Sequence, residues 1–164
     1  MHRFGLAIDK AAVRIFPNGL SKHEALDQLI DAIFSLGAVA NKDAFARAVR
    51  ERETVMSTGI GCGVAIPHVR IDAVTKPTVG IGISHEGIEF NTLDNKPVHI
   101  IVLFAMPTGS QKEYLGLLAQ VMTAMKETGF REELGACETP EEVMRLVNDV
   151  AANAANPSAA SENS

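Results

Sequence analysis

Residues 98–106 of this 164-residue chain, VHIIVLFAM, are apolar at every position except His99. A strand with one face in water alternates apolar and polar side chains, whereas a strand covered on both faces by helices reads as a nearly unbroken apolar run. The segment is far shorter than the roughly 20 apolar residues that a membrane helix requires, and no other stretch approaches that length. The core is therefore expected to be a sheet buried between helices, with this strand inside it.

The remaining sequence supplies the helices. Ser21 and Glu24 form the S-x-x-E pattern of a capping box, in which the hydroxyl accepts from one orphan N–H and the carboxylate reaches back to another. Leu26, Leu29, Ile30 and Ile33 follow at helical spacing, and Gly37 is placed to end the helix in a left-handed conformation. Asn41 is placed to cap a second helix whose apolar face is Phe45, Ala48 and Val49. A second capping-box pattern, Ser110-Gln111-Lys112-Glu113, opens a third helix with Tyr114, Leu117, Leu118, Val121 and Met125 on one stripe. At Thr139-Pro140-Glu141-Glu142 a cap, an N1 proline and an acidic first turn coincide, and the fourth helix buries Val143, Leu146, Val147 and Val150.

Residues 79–84 join residues 98–106 as strands, bounded by Pro77, Gly87 and the Asp94-Asn95-Lys96-Pro97 turn. The order helix, helix, strands, helix, helix does not alternate as βαβ units do. The expectation is a single α/β domain with a mixed parallel/antiparallel β-sheet flanked by helices. It is assigned to residues 21–150, between an N-terminal segment, 1–20, and a disordered Ala/Asn/Ser-rich tail, 151–164.

Composition narrows the function. A formal net charge of -5 provides no basic face for nucleic acid, so no nucleic-acid partner is expected. Cys62 and Cys137 lie far apart, and the amino terminus lacks an apolar leader, which together predict a reducing, cytoplasmic setting. None of the five histidines, His2, His23, His68, His85 and His99, belongs to an H-E-x-x-H pair, and no C-x-x-C is present, so no metal is expected. His99, inside the apolar run, reads as a hydrogen-bonded core or edge residue, and His23 and His85 read as surface residues. Cys62, between two glycines with no neighbouring base in sequence, reads as a small filler.

His68 differs in its context, residues 57–70, STGIGCGVAIPHVR. Gly59, Gly61 and Gly63 alternate, and glycine permits positive φ and close approach of backbone to a ligand. Successive N–H groups in such a turn can form an anion-binding concavity. Pro67 fixes its own φ and biases Ile66 toward an extended conformation, so the approach to His68 is stiff. A neutral imidazole presents one nitrogen lone pair as a nucleophile while its other N–H is held by a hydrogen bond. The glycines do not fit G-x-G-x-x-G, and no Lys-Ser or Lys-Thr follows them, which removes dinucleotide and P-loop readings. The glycine segment with its anion-binding turn and the histidine that it leads to point to phosphate chemistry at histidine. Arg52, at i+7 from Phe45, stands at the end of the second helix on the side facing the protein. Spacing alone fits both a cation for the site and a charge that offsets the helix dipole.

The segment STGIGCGVAIPHVR resembles the active-site segment of enzyme IIA domains of the bacterial phosphoenolpyruvate-dependent sugar phosphotransferase system, in the fructose/mannitol/nitrogen-regulatory branch. The resemblance extends from the Ser21 helix through Val150, including the Asp94-Asn95-Lys96-Pro97-Val98 turn and the helix at Ser110. It implies that His68 is transiently phosphorylated on its distal ring nitrogen. The phosphoryl group would come from an HPr-like phosphohistidine carrier protein and pass to enzyme IIB for sugar uptake, with indirect association with a membrane permease and no cofactor. It implies that Arg52 stabilises the phosphoryl group and that Gly59, Gly61 and Gly63 shape the backbone around it. Ser57 and Thr58 match a hydroxyl pair of the motif, with hydrogen bonding to the site or packing and capping as their open roles.

Several members of this branch carry a second histidine in the first turn of the helix after Ser110, where this chain has Tyr114. A phenol can donate to phosphate but carries no imidazolium charge, and Tyr114 also fits as a core aromatic. Transfer between proteins implies a shallow depression around His68, with Val69 in the docking rim. A second function stands beside transport. In it, the chain is a nitrogen-type regulatory protein whose phosphorylation state at His68 switches binding to a target protein.

Overall fold

The computed structural model describes residues 8–55, 59–109 and 111–155. Among the described residues six strands form one sheet: β1 (Ile8–Ile15), β2 (Gly59–Gly61), β3 (Val64–Ala65), β4 (His68–Arg70), β5 (Thr78–Ile88) and β6 (Val98–Met106). Among the described residues five helices accompany them: α1 (Lys22–Ser35), α2 (Lys42–Val55), α3 (Gln111–Met125), α4 (Thr128–Gly135) and α5 (Pro140–Ala155). The sheet runs in the order β1-β5-β6-β3-β2, with β4 also paired to β6. β5 is antiparallel to β6 and β2 to β3, while β1 is parallel to β5 and both β3 and β4 are parallel to β6. The sheet is mixed, as the element order predicts.

The unbroken apolar character of β6 follows from its place inside the sheet. Ile101, Leu103 and Ala105 point into a core built with Leu26, Leu29, Ile30 and Ile33 of α1 and Phe45 and Val49 of α2. Ile100, Val102, Phe104 and Met106 point the other way, into a second core with Leu117 and Val121 of α3, Leu134 of α4, and Val143 and Val147 of α5. Neither face of the strand meets water, so polar alternation has no position to occupy.

The helix boundaries follow their local chemistry. Ser21 accepts from the Glu24 N–H at 3.2 Å while Glu24 accepts from the Ser21 N–H at 3.1 Å, completing the capping box of α1. Asn41 Oδ1 accepts from the Ala44 N–H at 3.0 Å, and Thr139 Oγ1 accepts from the Glu142 N–H at 3.2 Å. Gly37 takes φ +76° just beyond α1. Ser110, the expected cap of α3, lies outside the described residues.

Several features depart from the sequence expectation; β5, for one, continues past Ser84 through Gly87 to Ile88. β1 stands within residues 1–20, where no element is predicted, as the edge strand on β5; its charged Asp9, Lys10 and Arg14 mask the apolar signal. The short helix α4 also goes unpredicted, because its N-cap, Glu127, makes no side-chain capping bond that a sequence could advertise. Helix α5 runs to Ala155, into the stretch assigned to the tail, since alanine continues a helix readily once it has started.

Candidate functional site

β3 and β4 behave as one strand interrupted only at Ile66 and Pro67. Val64 lies opposite Ile100 and His68 opposite Phe104, so the register is the same on both sides of the interruption. The break includes Pro67, which has no N–H to give to the ladder but still accepts from the Phe104 N–H at 2.9 Å. Side chains alternate along this line. Val64 and Ile66 enter the core of α3–α5, whereas Ala65 and Val69 enter the core of α1 and α2. His68 therefore falls on the α3 face, at the position where the strand emerges from the core, and its ring is half-buried.

The His68 ring is oriented from below. Nδ1 lies 2.9 Å from the Ile66 carbonyl oxygen. A carbonyl can only accept, so Nδ1 carries the proton of the neutral ring and Nε2 keeps the lone pair. The stiff Ile66-Pro67 approach thus sets the tautomer as well as the direction of the ring.

Tyr114, in the first turn of α3, stands against the same ring with centroids 5.8 Å apart and planes tilted by 36°. Its own ring rests edge-on against Phe104, at 6.2 Å and 80°. Burial pushes the Tyr114 hydroxyl up from its ordinary pKa, and the positive charges of Arg52 and Arg70 oppose that rise. The phenol is therefore a protonated hydrogen-bond donor at neutral pH. Arg52 sits half-buried in the last turn of α2, a helix that packs against β4 from the opposite face. Its positive charge opposes the rise of the Tyr114 pKa, and it also stands at the carboxyl end of the helix dipole.

Arg70 was not singled out by the sequence. It is two residues beyond His68 on β4, hence on the same face, and it is exposed. The available signal was strand alternation, which needs the knowledge that residues 68–70 are strand.

The glycines have a different place from the one their spacing suggests. Gly61, Cys62 and Gly63 all have positive φ, +90°, +57° and +77°, and Cys62 and Gly63 form the tight turn of the β2–β3 hairpin. This turn lies level with the Ile100 end of β6, about 13 Å along the strand from the Phe104 level of His68. Gly59 pairs with Ala65, partway between. The Cys62 N–H is taken by Asp94 Oδ2 at 3.2 Å, so it is not offered to an anion. Asp94 Oδ1 accepts from the Thr92 hydroxyl at 2.7 Å and from the Lys96 N–H at 3.1 Å, and its carboxylate latches the hairpin to the turn before β6.

Those hydrogen bonds, Thr92 first and Lys96 next, hold the Asp94 carboxyl below the usual aspartate pKa. A group made more acidic by folding stabilises the fold above its unfolded pKa and loses that contribution as pH falls through the folded one. Protection of the Cys62 amide against hydrogen exchange is thus expected to hold at neutral pH and to disappear only in strong acid. Asp94→Ala is expected to lower that protection several-fold at neutral pH; unchanged protection would mean that the latch does not hold the hairpin.

Other candidates fall away from the site. Cys62 is exposed at the hairpin tip and not the small filler expected from its glycine neighbours, because a positive-φ turn projects its side chain outward. Val69 is 8% exposed and packs under α1 and α2, so it does not form a docking rim; strand alternation turns it away from His68. His99 is half-buried with Nδ1 2.9 Å from the Ser84 carbonyl oxygen, and His85 is exposed with Nε2 2.7 Å from that of Cys137. Ser57 and Thr58 lie outside the described residues. Among the described residues no group of three His, Cys, Asp or Glu side chains could hold a metal ion, and no helix is long and apolar enough to cross a membrane.

Residues 7–150 match the profile of the family described as "Phosphoenolpyruvate-dependent sugar phosphotransferase system, EIIA 2". The chain is 33% identical over 130 residues to the fructose-specific EIIA component of Haloferax volcanii, covering 79% of this chain and 84% of that protein. It is 27% identical over 132 residues to a nitrogen regulatory protein of Pseudomonas aeruginosa, covering 80% of this chain and 86% of the relative. Its fold superposes on the crystal structure of the nitrogen regulatory protein IIA-Ntr from Neisseria meningitidis with a TM-score of 0.79 and 24% identity, over 87% of this chain and 97% of that one. With the element order, the mixed sheet and nearly the full length accounted for, the chain belongs to the EIIA type-2 family of the phosphoenolpyruvate-dependent sugar phosphotransferase system.

Proposed function

We propose that this protein is a phosphocarrier, in which His68 Nε2 accepts a phosphoryl group from an HPr-like phosphohistidine carrier and passes it to an enzyme IIB. The observation that carries the proposal is the bond between His68 Nδ1 and the Ile66 carbonyl, which leaves the distal nitrogen as the nucleophile. Phosphoryl transfer asks little covalent work of a protein beyond positioning and charge stabilisation. Here the ring is held by backbone, and two guanidinium charges and a phenol donor accompany it. The half-buried ring on a strand surface suits exchange between two docked proteins better than a closed cleft would.

The test is incubation with phosphoenolpyruvate, enzyme I and the histidine carrier, followed by intact-mass measurement. One acid-labile phosphoryl group per chain is expected. A protein that stays unmodified beside a carrier competent on another IIA domain overturns the proposal.

The similarity to a nitrogen regulatory protein favours a second use of the same site, as a regulator whose target distinguishes the two phosphorylation states. The two uses separate on the fate of the phosphoryl group. Rapid loss to an enzyme IIB marks transport, and a long-lived phosphoprotein with a state-selective partner marks regulation.

A further inference from the structure

Arg70 is the unassigned charge nearest to His68 in sequence and in strand register. Opposite Phe104 and Met106 on the central strand, His68 and Arg70 form consecutive same-face positions of β4. Side chains two residues apart on one strand face are neighbours about 7 Å apart at their origins. The long arginine stem spans that gap easily, whereas the strand fixes its base. Tyr114 also stands against the His68 ring, at 5.8 Å between centroids. Arg70 is exposed, and among the described residues its guanidinium enters none of the salt bridges, which join Lys22 to Glu53, Lys42 to Asp31 and Arg50 to Asp27. In a chain of net charge -5, a cation beside the nucleophile with no acidic partner among the described residues is available to an incoming anion.

We propose that Arg70 contacts the transferring phosphoryl group together with Arg52, so that two guanidinium groups supply the stabilising charge. This rests on the phosphocarrier reading of His68. In the step, the His68 Nε2 lone pair forms the new N–P bond while the donor's N–P bond breaks and its electron pair returns to the donor ring nitrogen. The guanidinium groups exchange no proton; they hold the equatorial phosphoryl oxygens by charge-assisted hydrogen bonds. Arg52 comes from the helix behind the strand and Arg70 from the strand itself, so the two approach along different directions. Both remain charged at every accessible pH, so the charge they supply does not titrate near neutrality as an imidazolium's would.

The test is single-turnover phosphorylation by the phosphorylated carrier, for wild type, Arg70→Gln and Arg70→Lys, with carrier concentration varied. Arg70→Gln is expected to lower the saturated rate by about a hundredfold, the usual effect of removing one preorganised charge-stabilising donor. Arg70→Lys recovers part of that loss, since an ammonium keeps the charge but not the bidentate fork. The unfolding midpoint of both variants stays at the wild-type value.

A saturated rate that is unchanged in Arg70→Gln, with only a higher carrier concentration needed to reach it, overturns the proposal and makes Arg70 a docking residue. A wild type that accepts no phosphoryl group overturns the phosphocarrier reading instead. An independent arm needs no carrier: inorganic phosphate titrated onto wild type is expected to shift the His68 ring resonances, and the shift is lost in Arg70→Gln. Equal shifts in the two proteins overturn the contact.

Discussion

Replacing His68 by alanine is expected to abolish phosphoenolpyruvate-dependent labelling, with no residual acid-labile phosphate in the intact-mass spectrum. The reason lies in the uniqueness of the nucleophile. The Ile66 carbonyl holds Nδ1 and leaves Nε2 as the ring's lone-pair nitrogen. The neighbouring Tyr114 hydroxyl stays protonated, because burial raises its pKa against the pull of Arg52 and Arg70, and a neutral phenol is a poor nucleophile. Cys62 is at the hairpin turn, about 13 Å back along the strand, and does not substitute. Stability is expected to change by less than about 1 kcal/mol, since the ring is half-exposed and the strand pairing uses backbone groups. Labelling of His68→Ala at the wild-type level would place the acceptor elsewhere and end the assignment.

Phe104→Ala is expected to cost about 3–5 kcal/mol, the usual price of emptying a fully buried aromatic site. For a chain of this size the midpoint of thermal unfolding then falls by about 10 °C or more. Phe104 is fully buried on the central strand, directly opposite His68, and its ring supports Tyr114 edge-on at 6.2 Å. Its truncation opens a cavity beneath the site as well as in the core. Below the new midpoint, phosphoryl transfer is expected to slow several-fold because Tyr114 loses its rest, and Phe104→Leu is expected to recover most of both losses. Denaturant titration gives the first quantity and single-turnover labelling the second. A loss of less than about 1 kcal/mol for alanine would mean that the surrounding side chains collapse into the space, against the close packing of this face.

Much of the fold was legible because its signals are local. A hydroxyl three residues before a glutamate satisfies orphan helix donors whatever the rest of the chain does, and Ser21 with Glu24 forms that box in the structure. Gly37, Asn41 and Thr139 are of the same kind. The apolar run of β6 was legible for another reason, because burial on both faces leaves no polar alternation to confuse it. β1 was not: an edge strand with Asp9, Lys10 and Arg14 in eight residues owes its conformation to pairing with β5, which no local pattern encodes. The helix α4 has no side-chain cap, and its single fully buried residue, Leu134, leaves too thin an apolar stripe to read.

The candidate site divides in the same way. His68 could be chosen from the sequence, because a proline-stiffened histidine behind a glycine pattern is a local feature, whereas the helix spacing of Arg52 left a site cation and a helix-dipole charge equally open and only the family resemblance favoured the site. The sequence determined that an imidazole would be presented, that a cation would end the second helix, and that a phenol would open the third. Only the tertiary structure decided which of these come together: the His68 and Tyr114 rings meet, and Arg52 stands on the helix packed behind β4. Parallel pairing to β6 in one unbroken register puts His68 opposite Phe104, Phe104 carries Tyr114 to the ring, and α2 brings Arg52 from behind the strand. The same register moves the glycine turn away from the histidine and brings Arg70 onto its face. Spacing along a chain specifies which groups share a helix face or a turn, but the distance between residues on different elements depends on strand register and face, which are fixed by long-range pairing and by the burial of both sides of the sheet.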